Sequence, residues 1–153
     1  MKKLIYALLS LLFGITTTAQ SKNNDYVEWR FTVKKASVNT FAIHVTALID
    51  SPWRIYTKLL NIPNSSLFSI AYDSNAFVIF KNKLQEIGTP IEQYDEVVKE
   101  QVRSYRVAAN FVQTVMLIVD ESVTLHGKIA YVIGDGIGKL ETLKEKFKIT
   151  LNQ

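Results

Sequence analysis

Over residues 26–34 the chain alternates apolar and polar side chains strictly, with Val27, Trp29, Phe31 and Val33 on one face and Glu28, Arg30, Thr32 and Lys34 on the other. A period of two residues turns one face to a core and the other to water, which predicts a half-buried strand. Phe41, Ile43, Val45, Ala47 and Ile49 repeat the period after a turn over 36–39, so the two segments read as a hairpin. Asp50-Ser51-Pro52 ends it, because proline has no N–H to give to a ladder. Residues 53–57 read as a short third strand, followed by a polar loop containing Pro63. Residues 68–72 and 77–80 read as two further strands joined by a turn at Asp73-Ser74-Asn75.

Tyr105, Val107, Ala109 and Phe111 alternate again, and Val115, Leu117 and Val119 continue on one face after a phase change that predicts a β-bulge. Residues 125–133 and 147–151 complete the set. Roughly seven or eight short strands separated by turn signals, with no long helix, predict an all-β fold, an antiparallel sandwich of immunoglobulin-like type. Two segments compete on periodicity. Ile91, Tyr94, Val97, Val98 and Val102 fall near helical spacing, and Leu140, Leu143 and Phe147 could line one face of a short helix. Tertiary pairing is expected to override both, leaving 91–102 chiefly as loop and 143–151 as strand.

Composition narrows the class. Hydrophobic residues make up 48% of the chain and aromatic residues 11%, enough for one packed core and too much for disorder. Lys2 and Lys3, an apolar run over 4–15 and small residues up to Ala19 have the order of a secretory signal, so residues 1–19 are expected to be a signal peptide and 20–153 a single domain. The apolar run falls short of the ~20 residues that cross a bilayer, so no transmembrane segment is expected after cleavage. Of the net charge of +4, Lys2 and Lys3 supply two charges, which leaves little basis for nucleic-acid binding. The chain has no cysteine, so burial alone must hold an exported fold together.

Residues 127–149 carry the most distinctive pattern. Gly127-Lys128-Ile129-Ala130-Tyr131-Val132-Ile133-Gly134, a short loop, then Lys139-Leu140 and an alternating strand through Phe147 and Ile149, resembles the end of the N-terminal periplasmic domain of DsbD, the thiol:disulfide interchange protein. There the pattern is Gly-x-Val-x-Tyr-x-x-Cys, a loop, Cys-Leu-Pro-Pro and a strand. Trp29 and Phe31, Pro52-Trp53-Arg54-Ile55-Tyr56, Tyr94-Asp95-Glu96-Val97 and Phe111-Val112-Gln113-Thr114-Val115 resemble further family segments in the same order. The resemblance implies an immunoglobulin-like sandwich. It places the two redox cysteines on Gly134 and Lys139, and Glu141 and Thr142 stand where the family has prolines. A thiolate is the nucleophile of disulfide exchange, so the resemblance argues for the fold and against the activity. It also places a cap segment at Asp95 to Val97, with Val97 and Val98 where the family has a shielding aromatic; these valines are read as packing on the core.

Other candidate chemistry is weak. Gly134-Asp135-Gly136-Ile137-Gly138 superficially resembles a dinucleotide-binding turn, but Lys139 stands where the last glycine belongs and no second βαβ unit is present. It reads as a hairpin loop whose glycines accept positive φ. His44 and His126 have no partner at metal-ligand spacing, and His44 reads as an exposed strand residue. No nucleophile elbow is present. Asp95-Glu96, Asp120-Glu121 and Lys144-Glu145-Lys146 read as solvated surface. Trp53 shares a strand face with Ile55, and Arg54 shares the other with Tyr56, so one pair belongs to the core.

The function expected is an exported, noncatalytic protein-binding module, without cofactor or metal. Its partner would be another periplasmic or membrane-associated protein, and Trp53, Tyr56, Asp95 and Val97 are the candidate interaction surface. The alternatives are a component of a periplasmic thiol-disulfide pathway acting with a separate thiol protein, and a small-ligand carrier using the cleft between the sheets.

Overall fold

The computed structural model describes residues 17–21 and 24–153. All regular elements among them are strands: β1 (Thr17–Ser21), β2 (Val27–Lys35), β3 (Thr40–Ile49), β4 (Arg54–Leu59), β5 (Phe68–Tyr72), β6 (Val78–Phe80), β7 (Gln85–Ile87), β8 (Ile91–Asp95), β9 (Glu100–Tyr105), β10 (Ala108–Leu117), β11 (Val123–Gly134) and β12 (Leu140–Leu151). They form two antiparallel six-stranded sheets. The first runs β1-β2-β3-β10, and the far edge of β10 is shared by β7 along Asn110–Val112 and β6 along Val115–Leu117. The second runs β12-β11-β4-β9-β8, and β5 takes the Gly127–Tyr131 part of the β11 edge beside β4.

The alternation that predicts strands is the alternation that builds the core. Val27, Trp29, Phe31 and Val33 of β2 face Leu125, Ile129, Tyr131 and Ile133 of β11 across the sandwich, all buried. Phe31 stacks on Phe147 at 4.6 Å between centroids and Phe68 on Phe111 at 4.0 Å, tying the sheets together through aromatic pairs. Each such ring contributes on the order of 1.5–3 kcal/mol by leaving water. Side chains thus fill the space between the sheets. One glycine is part of this packing: Gly127 faces Phe147 across the β11–β12 ladder, and a Cβ there would lie 2.5 Å from the ring.

The β2–β3 hairpin and the strands β4, β5, β6, β11 and β12 follow the sequence reading. Several expectations need correction. β10 carries no bulge, since Ala109, Phe111, Gln113, Val115 and Leu117 alternate inward without a phase change. The polar Gln113 at an inward position obscured the period; its amide donates to Asn82 O at 2.5 Å and so satisfies itself inside. Residues 91–102 are neither loop nor helix but the hairpin of β8 and β9. β12 begins at Leu140, so the helical spacing of Leu140, Leu143 and Phe147 yields wholly to pairing with β11. Asp73-Ser74-Asn75 is not a hairpin turn: β5 pairs in the second sheet and β6 in the first, so the segment crosses between them. β1, β7, β8 and β9 raise the strand number to twelve among the described residues. Of the expected signal peptide, residues 1–16 lie outside the described residues, and Thr17 to Ala19 pair with β2 as part of β1.

Candidate functional site

The end of the second sheet where β11 turns into β12 gathers most of the unusual polar chemistry. β4 enters it with two consecutive faces buried. Ile55 points into the intersheet core, while Arg54 and Tyr56 point to the outer face and are buried as well, at 8% and 0% exposure. What covers them is the β8–β9 turn. Asp95, the last residue of β8, accepts a hydrogen bond from the Tyr56 hydroxyl at 2.7 Å and lies 3.5 Å from Arg54 Nη1. Its other oxygen accepts from the Val97 and Val98 amides at 2.9 and 3.0 Å, which fixes the turn as an Asx-type cap. Burial pushes the Asp95 carboxyl toward neutrality, but the amides of Val98 and Val97, the Tyr56 hydroxyl and the Arg54 charge outweigh it and hold its pKa below the usual carboxylate value. The same burial and the hydrogen bond to Asp95 raise the Tyr56 phenol well above its ordinary value.

The β11–β12 loop closes over this cluster from the other side. Asp135 N donates to Lys139 O at 3.2 Å, and Asp135 Oδ1 accepts from the amides of Ile137, Gly138 and Lys139 at 2.9, 3.0 and 2.9 Å. These bonds, that of Ile137 first, hold the Asp135 pKa low. Gly136 has φ +76°, and a Cβ on it would collide with the Arg54 guanidinium, so the loop lies flat on that side chain. Gly134 and Gly138 have no such φ, contrary to the expectation that all the loop glycines need it. Gly134 is required for space: a Cβ would sit 2.9 Å from the Tyr56 ring and 3.0 Å from Lys139 O.

Lys139 leaves the loop toward the other sheet. Its ammonium bonds Glu141 at 2.6 Å and the Tyr26 hydroxyl at 2.9 Å, which raises its pKa, the Glu141 contact contributing first. It also lies 4.8 and 4.9 Å from the rings of Tyr26 and Trp53, which stack on each other at 4.1 Å. A cation latched over an aromatic pair therefore joins the loop to the rim of the first sheet.

Of the candidate interaction residues, Trp53 and Val97 are half-buried, whereas Tyr56 and Asp95 are buried and bonded to each other, so neither presents its side chain to a partner in this state. Asp95 is accordingly not solvated surface, and neither is Glu145, which sits in the core at 5% exposure and accepts from Tyr131 and Asn24 at 2.6 Å each. Val97 and Val98 are half-buried outside the hydrophobic core rather than packed in it. Lys139 is exposed and Gly134 buried, and the strand register places Leu140, not Lys139, opposite Gly134. His44 is half-buried on the outer face of the first sheet rather than exposed; burial and then Lys34 lower its pKa. No cluster of metal-ligating side chains occurs among the described residues, and no helix among them is long and apolar enough to cross a membrane. Sequence reasoning missed Arg54, Asp135 and Tyr26. The signal that could have found Arg54 is a charged residue sharing a strand face with a tyrosine at the cap of an apolar strand.

No family model matches the chain, and no curated protein matches it. Solved structures do. The N-terminal periplasmic domain of ScsB from Proteus mirabilis aligns with a TM-score of 0.59 and 13% identity over 88% of this chain and 49% of that one, so the chain spans about half of its length. The GAE domain of yeast GGA1 aligns with a TM-score of 0.52 and 12% identity over 90% and 100% of the two chains. The GAE domain of GGA2p from Saccharomyces cerevisiae gives 0.51 and 12% over 88% and 97%. At such identities the likeness is one of fold. It agrees with the immunoglobulin-like sandwich, and the ScsB domain supports a DsbD-like fold.

Proposed function

We propose that the protein is an exported, noncatalytic binding module built on the frame of a DsbD N-terminal domain, and that it engages another periplasmic or membrane-associated protein through the β8–β9 turn and the β11–β12 loop. One observation carries the reading. Where the sequence resemblance puts a redox pair, the chain has Gly134 pressed on Tyr56 and Lys139 latched over Tyr26 and Trp53, with Arg54 and Asp95 paired beneath. Each of these groups is packed or paired within the chain, and none is a nucleophile of disulfide exchange. What remains at the end of the sheet is a shaped rim: half-buried Trp53 and Val97, exposed Tyr94 and exposed Ile137. Rigid, partly exposed aromatic and aliphatic side chains of this kind suit a protein partner.

A second reading, a component of a thiol-disulfide pathway that leaves the thiol chemistry to a separate protein, draws on the likeness to the ScsB periplasmic domain. The two agree on the surface and differ in the partner. A photo-crosslinking residue in place of Val97 or Ile137, compared with one in place of exposed Lys148 on β12, tests both in exporting cells. A discrete adduct from the first two positions and none from the third is expected; adducts equal at all three would overturn the binding face. A thiol oxidoreductase in the adduct would favour the second reading.

A further inference from the structure

Beside the buried cluster, Ile49, Trp53, Arg54, Arg106, Val107 and Asp135 are among the residues that line a cavity of about 270 Å³. Three independent features converge on it. Arg54 is nine-tenths buried, yet its Nε has no hydrogen-bond partner, and Nη1 has only the 3.5 Å contact with Asp95. A buried guanidinium N–H without an acceptor costs free energy, so Arg54 is short of acceptors, its Nε itself lying under the Gly136 loop rather than open to the cavity. Arg106 is exposed and makes no ion pair among the described residues, so a second guanidinium on the same cavity is also available. Between them the backbone is strained. Val107 has φ 70° and closes a three-residue turn in which Ala108 N donates to Arg106 O at 2.7 Å, leaving its side chain 77% exposed. A β-branched residue in the left-handed region is costly and is held there by its surroundings, here the bond from Ile49 N to Val107 O at 2.8 Å.

Two arginines against one aspartate leave the cavity lining net positive, which suits an anion whose two oxygens can take paired N–H donors. The walls on either side are Trp53, Ile49 and Val107, which favour a small apolar group next to that anion. Asp135 also lines the cavity and brings a negative charge, but one of its oxygens is taken up by three loop amides. We infer that this cavity binds a carboxylate carried next to a small apolar group, with Arg54 and Arg106 as its ligands. The free acid of a small molecule and the C-terminal carboxylate of a protein chain share this chemistry. The cavity shares Trp53 and the Asp135 end of the β11–β12 loop with the binding rim above, but its carboxylate chemistry does not rest on that reading.

Amide NMR of the purified protein tests it with three probes: N-acetyl-leucine, an acetylated tripeptide ending in Val-Leu with a free carboxylate, and the same tripeptide as its C-terminal amide. Saturable shifts of the Arg106, Val107 and Asp135 amides are expected with the two carboxylates and not with the amide. Arg106→Gln, a change at an exposed side chain, should weaken both by about tenfold or more while the rest of the spectrum stays folded. Tighter binding of the tripeptide acid than of N-acetyl-leucine would identify a chain end as the ligand; equal binding would identify a small acid. Equal shifts with acid and amide, affinity unchanged by Arg106→Gln, or no shifts up to about 10 mM of either acid would overturn the inference.

Discussion

Asp95 holds together two parts of the chain that the sequence keeps far apart, Arg54 and Tyr56 on β4 and its own β8–β9 turn. Removing it leaves a buried arginine charge without its counter-ion, so Asp95→Ala should cost about 3–5 kcal/mol in urea unfolding followed by tryptophan fluorescence; a cost below about 1 kcal/mol would contradict the network. The pH dependence has a definite sign. The Asp95 pKa is lower folded than unfolded, so its stabilisation is complete above the ordinary carboxylate range and is lost as pH falls through the depressed folded value. The stability gap between the wild type and Asp95→Asn should therefore narrow on acidification below about pH 4, and a gap that widens would refute the assignment. His44 acts at higher pH. Its lowered folded pKa means that stability rises as pH increases toward the ordinary value of 6.5, and His44→Gln should remove that slope. Periodicity showed that Arg54 and Tyr56 share a face but not what covers it. Their partner lies 41 and 39 residues along the chain, and a contact of that span leaves no local pattern.

Among the elements, those whose inward positions are all apolar were legible. β2, β3 and β11 place their apolar side chains on one face, and the period alone located them. β10 was legible up to Gln113, whose buried amide breaks the apolar alternation while leaving the strand intact. β8 and β9 were not, because an edge hairpin exposes Glu92 and Tyr94, and its apolar residues fall by chance near helical spacing. Gly127 within β11 and Val107 between β9 and β10 test how far elements constrain each other. Gly127→Ala would place a methyl group against the Phe147 ring and Ala71 O, and about 1–3 kcal/mol of destabilisation in chemical unfolding is expected; no loss would mean that β11 and β12 pack more loosely than described. Val107→Gly relieves the positive φ between β9 and β10 and should stabilise by about 1 kcal/mol in the same assay.

For the whole molecule, the reading of an all-β immunoglobulin-like sandwich followed from strand periodicity and turn spacing, and the two six-stranded sheets agree with it. The site was legible only in outline. The sequence resemblance pointed to the β11–β12 end and to the Asp95 turn, and these do meet around Arg54 and Tyr56. Which positions face each other there depends on the register, and the register pairs Gly134 with Leu140. Under the proposed function this hairpin end is a closed frame that carries no thiol, and introducing thiols tests its register most directly. Facing positions in an antiparallel pair lie within disulfide range; Gly134 has no room for a Cβ, so the facing pair Val132 and Thr142, two residues further from the loop, reports the register. Mass spectrometry after mild oxidation should therefore find an intramolecular disulfide in Val132→Cys with Thr142→Cys, while Val132→Cys with Glu141→Cys, whose side chains leave opposite faces of the hairpin, keeps free thiols or forms only intermolecular dimers. Free thiols persisting in the first variant, or ready closure in the second alone, would contradict the frame.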